Sequence, residues 1–243
     1  MEDINTLTLG EIVKKNYKAA AVFERYSLDF CCKGNQNFMS ACKANNIEPS
    51  LLINELNQLE SEQEHGVVFD TWPLDMLIDY IIKRHHTYVE EKTPLIKSYL
   101  DKICEAHGAR HPELHKVKGI FFEIGGELAV HMKKEELILF PFIKKLVQAN
   151  STKTPVTSPL FESVSNPVDM MKEDHAVEGE RFRRLAALTN NYQIPSDACN
   201  TFAVAYQFLD EFEKDLHLHI HLENNILFPK AIHLEEELLR QTV

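Results

Sequence analysis

Glycine and proline are scarce, 8 and 10 in 243 residues. An all-β chain of this length would need more turn residues, and the abundance of Leu, Ile, Glu, Lys and Ala favours helices instead. Positive charge is also in short supply. The 26 Lys and Arg stand against 37 Asp and Glu, a formal net charge of −11. That balance argues against a general binder of nucleic acid or of anionic membranes. No apolar run approaches the roughly 20 residues of a membrane span. The charged N-terminus MEDINTLTLGEIVKKNYKAA lacks the apolar core of a secretory signal. The expectation is a soluble, cytoplasmic protein. Cysteine is limited to Cys31, Cys32, Cys42, Cys104 and Cys199. An odd, irregularly spaced set in a chain without a secretion signal is not a disulfide framework.

What remains is enough for a sizeable core, since 44% of the residues are hydrophobic. Residues 1–60 read as a small helical domain containing cysteine. TLGEIVKKNYKAAAVFERYSL has apolar residues at helical spacing, with Thr8 or Thr6 as N-cap. DFCCKGN breaks that pattern at Gly34, and NFMSACKANN and EPSLLINELNQLESE form two further short helices. Residues 61–71 read as a linker. Residues 72–243 contain four long helical patterns. The first opens at Thr71 and Pro73, the second at Pro112. The loop STKTPVTSPL precedes the third and NNYQIPSD the fourth. The predicted fold class is all-α, an up-down four-helix bundle preceded by the small domain.

A repeat carries the chemistry. HMKKEELILFP begins at His131, and HIHLENNILFP begins 88 residues later at His219. In the second long helix, Val117, Phe121, Ile124, Leu128, His131, Glu135, Ile138 and Phe142 alternate at steps of four and three, which makes one buried stripe. In the fourth, Phe208, Phe212, Leu216, His219, Glu223 and Ile226 do the same, and in the third Met171, His175, Glu178, Phe182 and Leu185. A carboxylate on a buried stripe is costly unless it is paired or bound to a cation. Imidazole and carboxylate donors without thiolates suit iron or manganese. The competing reading is a set of metal-free His–Glu hydrogen bonds. His217 and His221 lie about 200° around the helix from His219, so they are expected to face solvent or to stand behind the ligands. His65, His107, His111, His115 and His233 read as surface residues. In the first long helix, spacing leaves His85 and His86 equally open.

These residues resemble the RIC (repair of iron centres) family of di-iron proteins. TLGEIV…AAAVFERYSLDFCCKGN is similar to the family's short cysteine-containing domain. HMKKEELILFP, KEDHAVEGE and HLENNILFPKA are similar to its metal-binding helices, in family order, and IPSDACNTF to its loop before the last helix. The resemblance implies a hemerythrin-like bundle holding two Fe ions as a bridged di-iron centre. It implies His86, His131, His175 and His219 as terminal ligands and Glu135 and Glu223 as bridges. It selects His86 because the family's His follows the helix-opening proline by 13 residues, and Pro73 opens this helix.

Cys31 and Cys32 are adjacent, and a vicinal disulfide is strained. Their bland reading is a pair of small core residues. The functional reading, favoured by the resemblance, is a catalytic thiol pair that exchanges electrons or handles iron, with Lys33 lowering a thiol pKa. Cys42, Cys104 and Cys199 read as structural. The function implied is stress-response repair of iron–sulfur clusters damaged by nitric oxide or oxidants, by iron donation. The alternative is a di-iron nitric oxide or peroxide reductase fed with electrons through the Cys pair. A gas-sensing or oxygen-carrying module ranks below both, because it has no use for Cys31 and Cys32. Expected partners are damaged iron–sulfur proteins, small gases or peroxide, and a second copy of the chain, without nucleic acid or membrane.

Overall fold

The computed structural model describes residues 4–61, 67–155 and 162–240. Among them there is no strand, only an isolated bridge between Thr8 and Asn37. Residues 62–66 of the expected linker and residues 156–160 of the STKTPVTSPL loop lie outside the described residues.

Four short helices open the chain: α1 (Leu9–Lys15), α2 (Ala19–Arg25), α3 (Phe38–Ala44) and α4 (Pro49–Ser61). Thr8, not Thr6, caps α1. Its hydroxyl accepts from Glu11 N at 3.2 Å and its own N–H donates to the Glu11 carboxylate at 2.8 Å, a reciprocal box. Asn37 caps α3 through Ser40 N.

The long helices follow. α5 (Leu74–Tyr80) runs through a π-helical segment, Ile81–His86, into α6 (Thr87–His107). α7 (Glu113–Lys134) runs through a second π segment, Glu135–Leu139, into α8 (Phe140–Thr152). α9 (Ser165–Leu188) is uninterrupted. α10 (Asn200–Leu222) runs through a third π segment, Glu223–Leu227, into α11 (Phe228–Arg240). π turns close i→i+5 rather than i→i+4 and recur at functional positions. Here each of the three contains one of His86, Glu135 and Glu223.

The π turn also corrects the stripe of the second long helix. One residue is added to the turn, so burial after Glu135 passes to Leu139 and leaves Ile138 51% exposed. In the fourth helix Ile226 and Leu227 are both buried.

The chain forms two compact units. One comprises Ile78–Lys145 and Thr157–Leu216 and holds most of the four long helices. Within it α6 and α7 run antiparallel: Lys133 pairs with Glu90, and Lys118 with Asp101. α10 runs antiparallel to α6, with Phe212 beside Tyr88 and Phe208 beside Tyr99. Phe212 is the centre of this core, its ring 5.3 Å from Phe121 and 5.9 Å from Phe182. Burying a Phe side chain contributes about 2–3 kcal/mol.

The other unit comprises Met1–Leu77, Leu146–Val156 and His217–Val243. Leu9, Val13, Phe23, Phe30, Phe38 and Leu52 form its core. α1 packs on the π segment Glu223–Leu227, and Lys14 and Lys230 converge on Asp70 at 3.0 and 3.2 Å.

Candidate metal centre

In the helical unit Ile78–Lys145 and Thr157–Leu216, Glu135 is fully buried. Its Oε2 lies 3.4 Å from His86 Nε2 and 3.5 Å from His131 Nε2. His175 Nε2 lies 3.0 Å from His131 Nε2. His131, Glu135 and His175 each bring one donor atom within 4.8 Å of the others. Three helices therefore aim nitrogen and oxygen at a common volume.

The far side of each ring explains the aim. His86 Nδ1 donates to Glu136 Oε1 at 2.9 Å, and His131 Nδ1 to Asp174 Oδ2 at 3.3 Å. Burial acts to raise the Glu136 carboxyl, but Lys133 and His86 outweigh it and hold it below its ordinary range. Burial likewise opposes Asp174, and Lys134 and His131 outweigh it. Both remain carboxylates and fix the proton on Nδ1, which leaves the Nε2 lone pair turned inward. Phe140 stacks on the His86 ring.

His85 is as buried as His86 but is held elsewhere. Its Nδ1 lies 3.0 Å from Asp215 Oδ2, and its ring meets Tyr80 edge-on.

The other unit holds the repeated pair. His219 Nε2 lies 3.1 Å from Glu223 Oε1, and both side chains are buried. Of the neighbouring histidines, His217 is half-buried and faces Glu24 and Phe30. Of the two places expected for His221, facing solvent or standing behind the ligands, its burial rules out the first. It is 1% exposed, packs on Phe30 and has Nδ1 3.2 Å from the Asn225 amide. Burial pushes its pKa down to about 4, so it is neutral near pH 7.

Cys31 is buried and Cys32 half-buried. Their Sγ atoms are 3.8 Å apart, without a disulfide. Asp29 Oδ1 accepts from Cys31 Sγ at 3.4 Å, from Cys32 N at 2.9 Å and from Lys33 N at 3.3 Å. The expected lowering of a thiol pKa by Lys33 does not hold for Cys31. The bond to Cys32, burial and the Asp29 charge push it well above its ordinary value.

The buried donor set fits a cation. Neutral imidazoles do not cancel the charge of a buried carboxylate, and a cation does. Nitrogen and oxygen donors without sulfur suit iron or manganese.

The comparisons agree with that chemistry. A family model described as the hemerythrin HHE cation binding domain matches residues 77–231. A second, a domain of unknown function (DUF542), matches residues 5–60. The iron-sulfur cluster repair protein YtfE of Musicola paradisiaca is 32% identical over 225 residues, covering 93% of this chain and 96% of the relative. This chain belongs to the hemerythrin-like family of iron–sulfur cluster repair proteins. Within that family, YtfE of Yersinia pseudotuberculosis is 32% identical over 230 residues, covering 95% of this chain and 98% of the relative. The iron-sulfur cluster repair protein ScdA of Staphylococcus haemolyticus is 29% identical over 226 residues, covering 93% and 98%. The family model implies cation binding, and no helix among the described residues is long and apolar enough to cross a membrane.

Several residues escaped the sequence reading. Glu136 and Asp174 flank stripe residues, and spacing gave no signal for their pairing with His86 and His131. Glu178 was on the stripe, but its state was not readable: burial, opposed by Arg181, raises its pKa to about 7. His107, expected at the surface, is buried. Its Nε2 lies 3.2 Å from Sγ of Cys199, which is exposed rather than part of the core.

Proposed function

We propose that this protein repairs damaged iron–sulfur clusters in the cytoplasm under nitrosative or oxidative stress, by donating iron to them. The observation that carries the reading is the buried Glu135 carboxylate flanked by His86 and His131 Nε2 atoms whose Nδ1 protons are held by Glu136 and Asp174. The names of the relatives support the repair role.

In this reading His86, His131, His175 and His219 are terminal ligands and Glu135 and Glu223 bridge two irons. The internal repeat supports grouping His219 and Glu223 with His131 and Glu135. The bound iron pair would supply exchangeable ferrous iron. The chain's own work is to orient the imidazoles, hold their Nδ1 protons and keep Glu135 away from bulk water. Cys31 and Cys32 are the thiols that handle iron or electrons. The partners are proteins with a damaged cluster, with nitric oxide or peroxide as the damaging species.

The test is anaerobic incubation of iron-loaded protein with an enzyme whose cluster has been destroyed by nitric oxide. Activity of the acceptor should return, and Glu135→Leu should abolish the return and lower the iron content of the loaded protein. Loaded protein that never restores the acceptor, yet makes nitrous oxide over many turnovers, would replace this reading with that of a nitric oxide reductase.

A further inference from the structure

We infer that Asp29, Cys31 and Cys32 form a second metal site, a three-donor station for one divalent cation of borderline softness, with Fe(II) as its cargo. The inference rests on the repair reading for the identity of the cargo and on geometry for the site.

The geometry is that of a chelate. A tetrahedral cation with metal–sulfur bonds of about 2.3 Å holds two sulfurs about 3.8 Å apart. The Cys31 and Cys32 Sγ atoms are 3.8 Å apart. With a metal–oxygen bond of about 2.0 Å, a carboxylate oxygen lies about 3.5 Å from each sulfur. Asp29 Oδ1 lies 3.4 Å from Cys31 Sγ. All three residues offer a donor atom within 4.8 Å of the others. Asp29 Oδ1 is already placed by the N–H groups of Cys32 and Lys33. Three donors leave a fourth position open, as an exchangeable site requires and a closed structural zinc site does not.

The loop is also fixed from behind. Asn225 Nδ2 donates to the Cys31 carbonyl at 3.2 Å and to the Phe30 carbonyl at 3.4 Å, and Asn224 Nδ2 donates to the Cys31 carbonyl at 3.4 Å. Gly34 makes room for this amide, since a Cβ there would lie 2.4 Å from Asn225 Oδ1. Asn224 and Asn225 directly follow Glu223 in the same π segment. The thiol pair is thereby docked on the turn that begins with a proposed iron ligand.

Binding balances without redox change. The cation forms two metal–sulfur bonds and one metal–oxygen bond, and the Cys31 and Cys32 thiols release two protons to solvent. With two thiolates and one carboxylate around a divalent cation, the loaded station carries one net negative charge. The cation keeps its oxidation state on arrival and departure.

Cobalt(II) is the probe, added anaerobically to reduced, full-length, iron-loaded protein. One equivalent should bind with thiolate-to-cobalt charge-transfer bands, which nitrogen and oxygen sites do not produce. Cys32→Ser, at a half-buried position, should remove those bands. Asp29→Asn should weaken the apparent Kd at least tenfold, with circular dichroism unchanged in both. Absence of thiolate bands, or bands of equal affinity in Asp29→Asn and Cys32→Ser, would overturn the inference. Iron transfer to the damaged acceptor is scored separately. Thiolate bands without any transfer would leave the station standing and sink the repair reading. Full transfer without bands would do the reverse.

Discussion

His86 presents Nε2 to Glu135 Oε2 at 3.4 Å and Nδ1 to Glu136 Oε1 at 2.9 Å. One imidazole is gripped by two carboxylates that are neighbours in sequence. Both carboxylates belong to the π segment Glu135–Leu139.

Glu136 should therefore tune the metal through His86. Glu136→Gln keeps an accepting oxygen but removes the charge that raises the basicity of the imidazole. Iron affinity should fall about tenfold, the lower end for loss of such a partner, as read by competition with a chelator. Unchanged affinity would show that the contact is incidental.

Glu178 gives a pH dependence. Its pKa rises from an ordinary 4.5 to about 7, through burial opposed by Arg181. A carboxyl raised on folding contributes stability below its unfolded pKa and loses it as pH rises through the folded pKa. Glu178→Gln should match wild type near pH 4.5 and become the more stable by about 1–2 kcal/mol at pH 8, a figure discounted for the nearby guanidinium and solvent. Paired urea titrations at the two pH values measure this. A gap that does not widen with pH would contradict the assignment.

Gly34→Ala should loosen the thiol loop. The added Cβ would lie 2.4 Å from Asn225 Oδ1 and 2.6 Å from the Phe30 carbonyl oxygen. The backbone contact cannot swing aside as a side chain would, so a loss of about 1–3 kcal/mol is expected. The same variant should speed alkylation of Cys31, which is buried in the wild type. Unaltered stability and alkylation would mean that the loop is not held by this contact.

Phe212→Ala should cost about 3–5 kcal/mol, the range for truncating a well-packed core Phe. Phe212 is fully buried and touches rings from three other helices, those of Tyr88, Phe121 and Phe182. Denaturant unfolding reads it directly. A loss below about 1 kcal/mol would mean that the core closes around the gap.

Much of the architecture was readable from spacing alone. Steps of three and four identify the helices and their buried faces, because i, i+3 and i+4 geometry is local. The repeat of His131 and Glu135 at His219 and Glu223 separated one histidine from three in HLHIHLE. Val117, Phe121, Ile124 and Leu128 are buried as that spacing requires, and so are His131 and Glu135. Ile138 was placed on the stripe because no residue type announces a π turn; the added residue leaves Ile138 exposed, while Phe142 further along the same stripe is buried.

The sequence by itself determined a helical chain, a His/Glu-lined stripe on three helices and a cysteine pair in a turn. Its spacing left His85 and His86 both open, the resemblance alone selected His86, and both are buried. Their partners Asp215 and Glu136 lie 130 and 50 residues away along the chain. Packing gives the two rings these different partners, and it also buries His221 and His107 and raises the Cys31 thiol. Periodicity is a property of neighbouring residues. Desolvation and hydrogen-bond partnership depend on which distant segments close over a group, and those exist only in the folded chain.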